Sequence, residues 1–280
     1  MHMSNAAVPS AWPMLLLALA MLAWVALLLT QVWRLNRRRA RQQAEPFPIA
    51  WRRILRRRVP AVARLPVDLQ QRLKRHIQIF IAEKPFIGCQ GLEISDEHRV
   101  VIAAQACMLL LGHDRPDYYP LLRQVLVYPE AFVVQREQAL GAGLVQVQRR
   151  AMGGESWSQG QVILSWSDVL AGAADPADGQ NVTLHEFAHQ IDQDKGMANG
   201  RPWLASPRAR RRWAAVMDAA FARLQAQPSA VIDAYAATDP AEFFAVVTEL
   251  FFERPQALAD EAPAVYAELA TLYRVQPLAW

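Results

Sequence analysis

At 280 residues and 53% hydrophobic content, the chain is long enough to bury a sizeable core, as one large domain or two small ones. Its two cysteines, Cys89 and Cys107, exclude a disulfide framework and a Cys-type zinc site, and read as buried reduced thiols. The net charge of +4 is unevenly placed: residues 34–58 carry ten arginines against the single acid Glu45, so the remainder is mildly acidic.

Residues 1–10 form a short tail without Lys or Arg, and residues 11–33 form a chargeless, apolar run ending at Trp33. A helix of about 20 residues crosses a hydrocarbon core of about 30 Å, so the run is predicted to be a transmembrane helix. Trp12 and Trp33 fall where an aromatic belt would lie. A cleaved signal peptide would have its basic cluster before the apolar run, and a buried core helix would show a polar face; neither pattern is present. Residues 34–58 follow as an arginine-rich juxtamembrane segment, and arginines beside a span are retained on the cytoplasmic side. The expected topology is a single pass through the membrane with the body in the cytoplasm. The arginines lack interleaved stacking aromatics apart from Trp51, and topology together with anionic lipid accounts for them, so no nucleic acid is expected as a partner.

The body is expected to begin near residues 45–48 and to occupy residues 59–280 as one domain. Residues 67–82 show helical spacing through Leu69, Leu73, Ile77 and Phe80, broken at Lys84-Pro85. Residues 97–111 read as a strongly buried helix stopping at Gly112; His98 and His113 border it and receive no ligand role. Residues 121–128 read as a helix end running into a strand. Strands are predicted at 132–134 and 144–147, joined through Gly141-Ala142-Gly143, and a single alternating strand at 156–166. Gly172, Asp175-Pro176 and Gly179 mark a loop before the next helix. The chain contains no internal repeat, phosphate-cradling glycine loop or G-x-S-x-G.

The next helix, residues 182–192, carries H-E-x-x-H. Residues four apart on an α-helix stack on nearly one face, so His185 and His189 can reach a single Zn²⁺ ion. Glu186, beside that face, can take a proton from water at the metal. A catalytic zinc site ordinarily has a third protein ligand, and spacing leaves three candidates: Asp192, Glu249 and Glu242. Asp192 lies on the same helix face and can equally serve as a hydrogen-bond partner behind a ligand. Glu242 and Glu249 share a helix predicted over 241–252, with Asp239 as its N-cap and Pro240 as its first residue. Glu242 stands where a glutamate commonly closes a capping box, yet apolar residues follow it, and a buried carboxylate needs a partner.

The zinc helix, residues 235–242, Ala103-Ala104-Gln105-Ala106-Cys107 and Ser156-Trp157 together resemble the Mlc titration factor A family of bacterial zinc peptidases. They resemble the catalytic domain of anthrax lethal factor more distantly. The resemblance covers roughly residues 46–275, and the anchor and the arginine run lie outside its matching part. It implies an α+β, zincin-like (gluzincin) fold in which the acid opening the second helix, Glu242, is the third ligand. It also implies that Tyr235 donates to the developing oxyanion. The activity implied is peptide-bond hydrolysis with one zinc per chain; the expected place, the bacterial inner membrane, rests on the apolar run and the arginines alone. The family is named for binding a glucose-responsive transcriptional repressor, so the alternative reading is a regulator that sequesters a repressor. A purely structural zinc fold would have no need of Glu186. An edge strand near the metal, in residues 161–166, is expected to hold an extended peptide by strand addition.

Overall fold

The computed structural model describes residues 12–130, 132–139, 145–152, 154–157 and 160–280. The N-terminal tail, the Gly141-Ala142-Gly143 connection and residues 158–159 lie outside the described residues. The chain divides into two compact units, one ending at Pro46 and one beginning at Phe47.

The first unit is the helix α1 (Trp12–Ala44). Its residues 14–44 are long and apolar enough to cross a membrane, with a mean hydropathy of 2.4 in the best window and no part of that window buried. Among the described residues it is the single helix of that kind. The arginines up to Arg41 continue it unbroken, as unbranched side chains permit, and the Arg37 guanidinium lies 5.0 Å from the Trp33 ring centroid.

The second unit is mainly helical with a small mixed sheet. It opens with α2 (Ile49–Arg58), α3 (Ala61–Arg64) and α4 (Val67–Glu83), followed by β1 (Phe86–Gly88) and α5 (Asp96–Met108). Strands β2 (Gln124–Tyr128), β3 (Phe132–Ala139), β4 (Val145–Met152), β5 (Gly154–Trp157) and β6 (Gln161–Ser165) come next. Six helices complete the unit: α6 (Trp166–Ala174), α7 (Val182–Asp192), α8 (Pro207–Ala226), α9 (Pro240–Glu253), α10 (Pro255–Glu261) and α11 (Pro263–Tyr273). The later arginines therefore belong to this unit: α2 buries Leu55, and Arg57 and Arg58 hydrogen-bond Glu97 on α5 at 2.8 and 2.6 Å.

The sheet runs β1-β2-β6-β5, with β1, β2 and β6 parallel and β5 antiparallel to β6. This corrects two expectations. Residues 156–166 do not form one strand: Trp157 pairs with Gln161 across a reversal in which Gly160 takes φ +80°, a left-handed value that glycine adopts without strain. Strand β6 is interior, buried from Val162 to Ser165 as a strand flanked on both sides should be. The edge strand beside α7 is β5. Strands β3 and β4 form a separate antiparallel pair.

Helix α5 explains why its sequence is apolar without clear periodicity. It packs against α2, α4, α6 and α7, so every residue from Val100 to Cys107 is buried. Helix α7 lies between this core helix and α9, whose residues Phe243 to Glu253 are also buried. Two buried helices are thus pressed together, and their polar side chains have to find one another.

Candidate metal centre

Helix α7 starts at Asn181, whose Oδ1 accepts the Leu184 N–H at 3.0 Å. Helix α9 starts at Asp239, whose Oδ1 accepts the N–H groups of Ala241 and Glu242 at 2.8 and 3.0 Å, with Pro240 in the first helical position as expected. These two caps set where the donors fall. His185 Nε2 lies 3.0 Å from Glu242 Oε2 and 3.2 Å from His189 Nε2, and His189 Nε2 lies 3.6 Å from Glu242 Oε2. The Glu242 carboxylate faces the two imidazoles instead of closing a capping box.

Glu249 stands on the other side of His185: its Oε1 is 2.8 Å from His185 Nδ1. A carboxylate there accepts a hydrogen bond from Nδ1–H, and in the neutral ring that tautomer turns the Nε2 lone pair toward Glu242. Two acceptors at 3.0 Å repel unless a proton or a cation lies between them. Burial alone would strip charge from His185, but the hydrogen bonds to Glu242 and Glu249 outweigh it and hold the imidazolium form well above its ordinary range. Burial likewise opposes ionisation of Glu242, and its contacts with His185 and His189 override this, keeping the carboxyl far below the usual range. The site is thus built to accommodate positive charge.

The donor set fits a zinc ion. Bonds of about 2.0–2.1 Å in a tetrahedral arrangement separate neighbouring ligand atoms by about 3.3 Å, and the three separations here are 3.0, 3.2 and 3.6 Å. The three atoms are thus spaced as donors around one ion would be.

The other sequence-predicted residues are placed as follows. Glu186 is buried on α7, close enough to His185 to raise the latter's proton affinity. Tyr235 sits in a single 3₁₀ turn (Ala234–Ala237), with its backbone N–H held by Asp233 and its ring centroid 6.2 Å from that of His185. Asp192 is not gathered into the donor cluster: its Oδ2 accepts the N–H groups of Asn199 and Gly200 at 2.7 and 2.6 Å. That loop reaches the base of α9. The Gly200 carbonyl accepts Trp213 Nε1–H at 2.9 Å, and a Cβ on Gly200 would stand 2.2 Å from the Pro240 carbonyl oxygen. Glu249 stands behind His185, whereas Asp192, one turn beyond His189, gives its Oδ2 to the Asn199–Gly200 loop.

Sequence reasoning missed Asn181 and Glu253. The Asn181 backbone N–H donates to Glu249, and its Nδ2 donates to Glu253 Oε1 at 2.8 Å and to the Gly172 carbonyl at 3.0 Å. A signal was present: Glu242, Glu249 and Glu253 are spaced seven and four apart, on one face of a helix that is otherwise almost wholly apolar.

Known proteins can be set beside this geometry. The family described as glucose-regulated metallo-peptidase M90 matches residues 33–274. An uncharacterised protein of Synechocystis sp. is 40% identical over 238 residues, covering 83% of this chain and 86% of its own length. Mlc titration factor A of Klebsiella pneumoniae subsp. pneumoniae is 37% identical over 230 residues, covering 79% and 84%. Mlc titration factor A of Cronobacter sakazakii is 35% identical over 249 residues, covering 86% and 91%.

Proposed function

We propose that this chain, which belongs to the glucose-regulated metallo-peptidase M90 family, is a zinc-dependent peptidase with a zincin-like catalytic domain. Residues 11–33 anchor it in the membrane and the body faces the cytoplasm. The observation that carries the reading is the convergence of His185, His189 and Glu242, with ligand atoms all within 4.8 Å of one another and Glu186 beside them.

His185, His189 and Glu242 hold the metal, which when bound supplies Lewis-acid polarisation of a scissile carbonyl and a lowered pKa for water. Glu249 accepts a hydrogen bond from His185 Nδ1–H, which fixes the tautomer and the ring direction. Glu186 takes a proton from the attacking water on its carboxylate and returns it to the leaving amine. Tyr235, half-exposed at the site, donates its hydroxyl proton in a hydrogen bond to the oxyanion as charge develops. The edge of β5, next to α7 and paired on one side only among the described residues, offers backbone groups to an extended peptide.

Peptide hydrolysis by the full chain in detergent, with zinc content measured in each preparation, tests this. Glu186→Gln should keep zinc and lose about 10²–10⁴-fold in rate. Tyr235→Phe should lose roughly 10²-fold at unchanged zinc content. Equal rates for wild type and Glu186→Gln would sink the peptidase reading. The Mlc-titration name of the relatives supports a second reading, capture of a transcriptional repressor, which would survive Glu186→Gln unaltered.

A further inference from the structure

Helix α2 divides its five arginines between two uses. Its inner side buries Leu55 and packs Trp51 and Ile54 on the core. Arg57 and Arg58 both reach Glu97, and Trp51 Nε1–H donates to Asp96 Oδ2 at 2.9 Å, so the acids that open α5 are taken up. Arg52, Arg53 and Arg56 are exposed, and no hydrogen bond or ion pair ties their side chains among the described residues. Together with Ile49 they stand three, four and seven positions along the helix, which is one face, and Ile49 is 67% exposed on it. Like charges at these spacings destabilise a helix, and α2 contains no acid to relieve them.

The face is unlike its surroundings. Outside residues 34–58 the chain carries more acids than bases, so these arginines form a positive ridge on a mildly acidic body. A polyanionic surface attracts such a body at the ridge and repels it elsewhere, which selects an orientation as well as a partner. Single-stranded nucleic acid is gripped by aromatics set among the arginines, but the one aromatic of α2, Trp51, is turned inward and holds Asp96. Anionic lipid asks only for clustered charge with an apolar residue beside it, and Ile49 supplies the latter. Helix α2 also begins sixteen residues after Trp33, a length that reaches about 55 Å at most even when extended. With residues 11–33 in a bilayer, α2 therefore meets the headgroups at high effective concentration, and weak contacts suffice.

We infer that the outer face of α2 is a docking surface for anionic phospholipid headgroups, with Arg52, Arg53 and Arg56 on the phosphates and Ile49 at the acyl boundary. It orients the second unit on the leaflet, a task separate from anchoring the chain. The inference rests on the membrane reading of residues 11–33 for its setting and on α2 alone for its contacts.

The full chain is placed in nanodiscs of phosphatidylcholine, alone or with about a third phosphatidylglycerol. A fluorophore on Ile49→Cys, in a Cys89→Ser background, is quenched by a lipid labelled on its headgroup. Quenching should be strong in the anionic discs, weak in the neutral ones, and lost at high salt. An arginine near an anionic surface is worth about fivefold in the ratio of docked to free, so Arg52→Gln, Arg53→Gln and Arg56→Gln combined should lower that ratio about 100-fold. Arg→Lys at the same three positions should restore quenching, because the attraction is one of charge. Equal quenching, or none, in the two kinds of disc would overturn the proposal, as would indifference to the glutamines or failure of the lysines to restore it. Release of the quenching by a short RNA duplex, at phosphate equal to that of the lipid, would give the face to nucleic acid instead. A chain that needs no detergent and does not enter the discs would refute the membrane anchor. Sedimentation of that chain with phosphatidylglycerol vesicles, lost in the glutamine variant, would still establish the face, and failure to sediment would overturn it.

Discussion

Replacing Glu249 and Glu242 by alanine in turn separates the residue that holds zinc from the one that holds its ligand. Glu242 Oε2 is one of three atoms that converge with separations of 3.0 to 3.6 Å, so Glu242→Ala removes a metal donor outright. Glu249 touches the opposite nitrogen of His185, so Glu249→Ala removes only what orients that ring. Changes to such outer partners typically lower metal affinity 10–100-fold, which converts to about 1.4–2.7 kcal/mol. Glu242→Ala should exceed that range. Glu249→Ala carries a second cost, because the buried Asn181 N–H loses its acceptor. An unsatisfied buried donor costs roughly 1–3 kcal/mol, and each kcal/mol is worth about 2–4 °C in a domain of this size. The metal-free Glu249→Ala chain should therefore melt some 2–12 °C below wild type. Zinc affinity is read by competition with a chromophoric chelator on the full chain in detergent, and stability by thermal unfolding of the metal-free forms. A greater zinc loss in Glu249→Ala than in Glu242→Ala would reverse the assignment, and a loss under threefold would refute the orienting role.

Burial raises the Glu253 carboxyl to about 8, from 4.5, so between those values the folded chain holds this proton more tightly than the unfolded chain does. The stability this confers on the wild type is full below pH 4.5 and is lost as pH rises through 8. Relative to Glu253→Gln it should fall by about 5 kcal/mol at most, and thermal midpoints of the two metal-free chains that run parallel across that window would refute this. Gly200→Ala places a Cβ 2.2 Å from the Pro240 carbonyl oxygen at φ +73°. It should cost roughly 1–3 kcal/mol and weaken zinc binding by shifting the first turn of α9; unchanged melting and zinc affinity would show that the loop does not position Glu242. A cytoplasm-dependent reporter fused after Trp280 should be active and a periplasm-dependent one silent; cleavage of the body by protease added outside intact spheroplasts would contradict the topology.

Local patterns were enough for much of this molecule. The apolar run before the arginines, the helix carrying His185 and His189, and the Asp239-Pro240 start of α9 depend on residues a few positions apart, and the structure has them where spacing put them. Spacing could not rank Asp192, Glu249 and Glu242, because the ranking depends on how α7 packs against α9. In that packing Glu242 and Glu249 lie on opposite sides of one imidazole, and Asp192 turns to the Gly200 loop. The place of β6 inside the sheet was equally hidden, since a buried strand and one half of a hairpin have similar composition and differ only in what pairs with them. Hydrogen-bond networks such as Glu253–Asn181–Glu249–His185 join residues up to 72 positions apart. They exist because burying two helices against each other leaves their polar groups no water to turn to, and only the tertiary packing decides which of them meet.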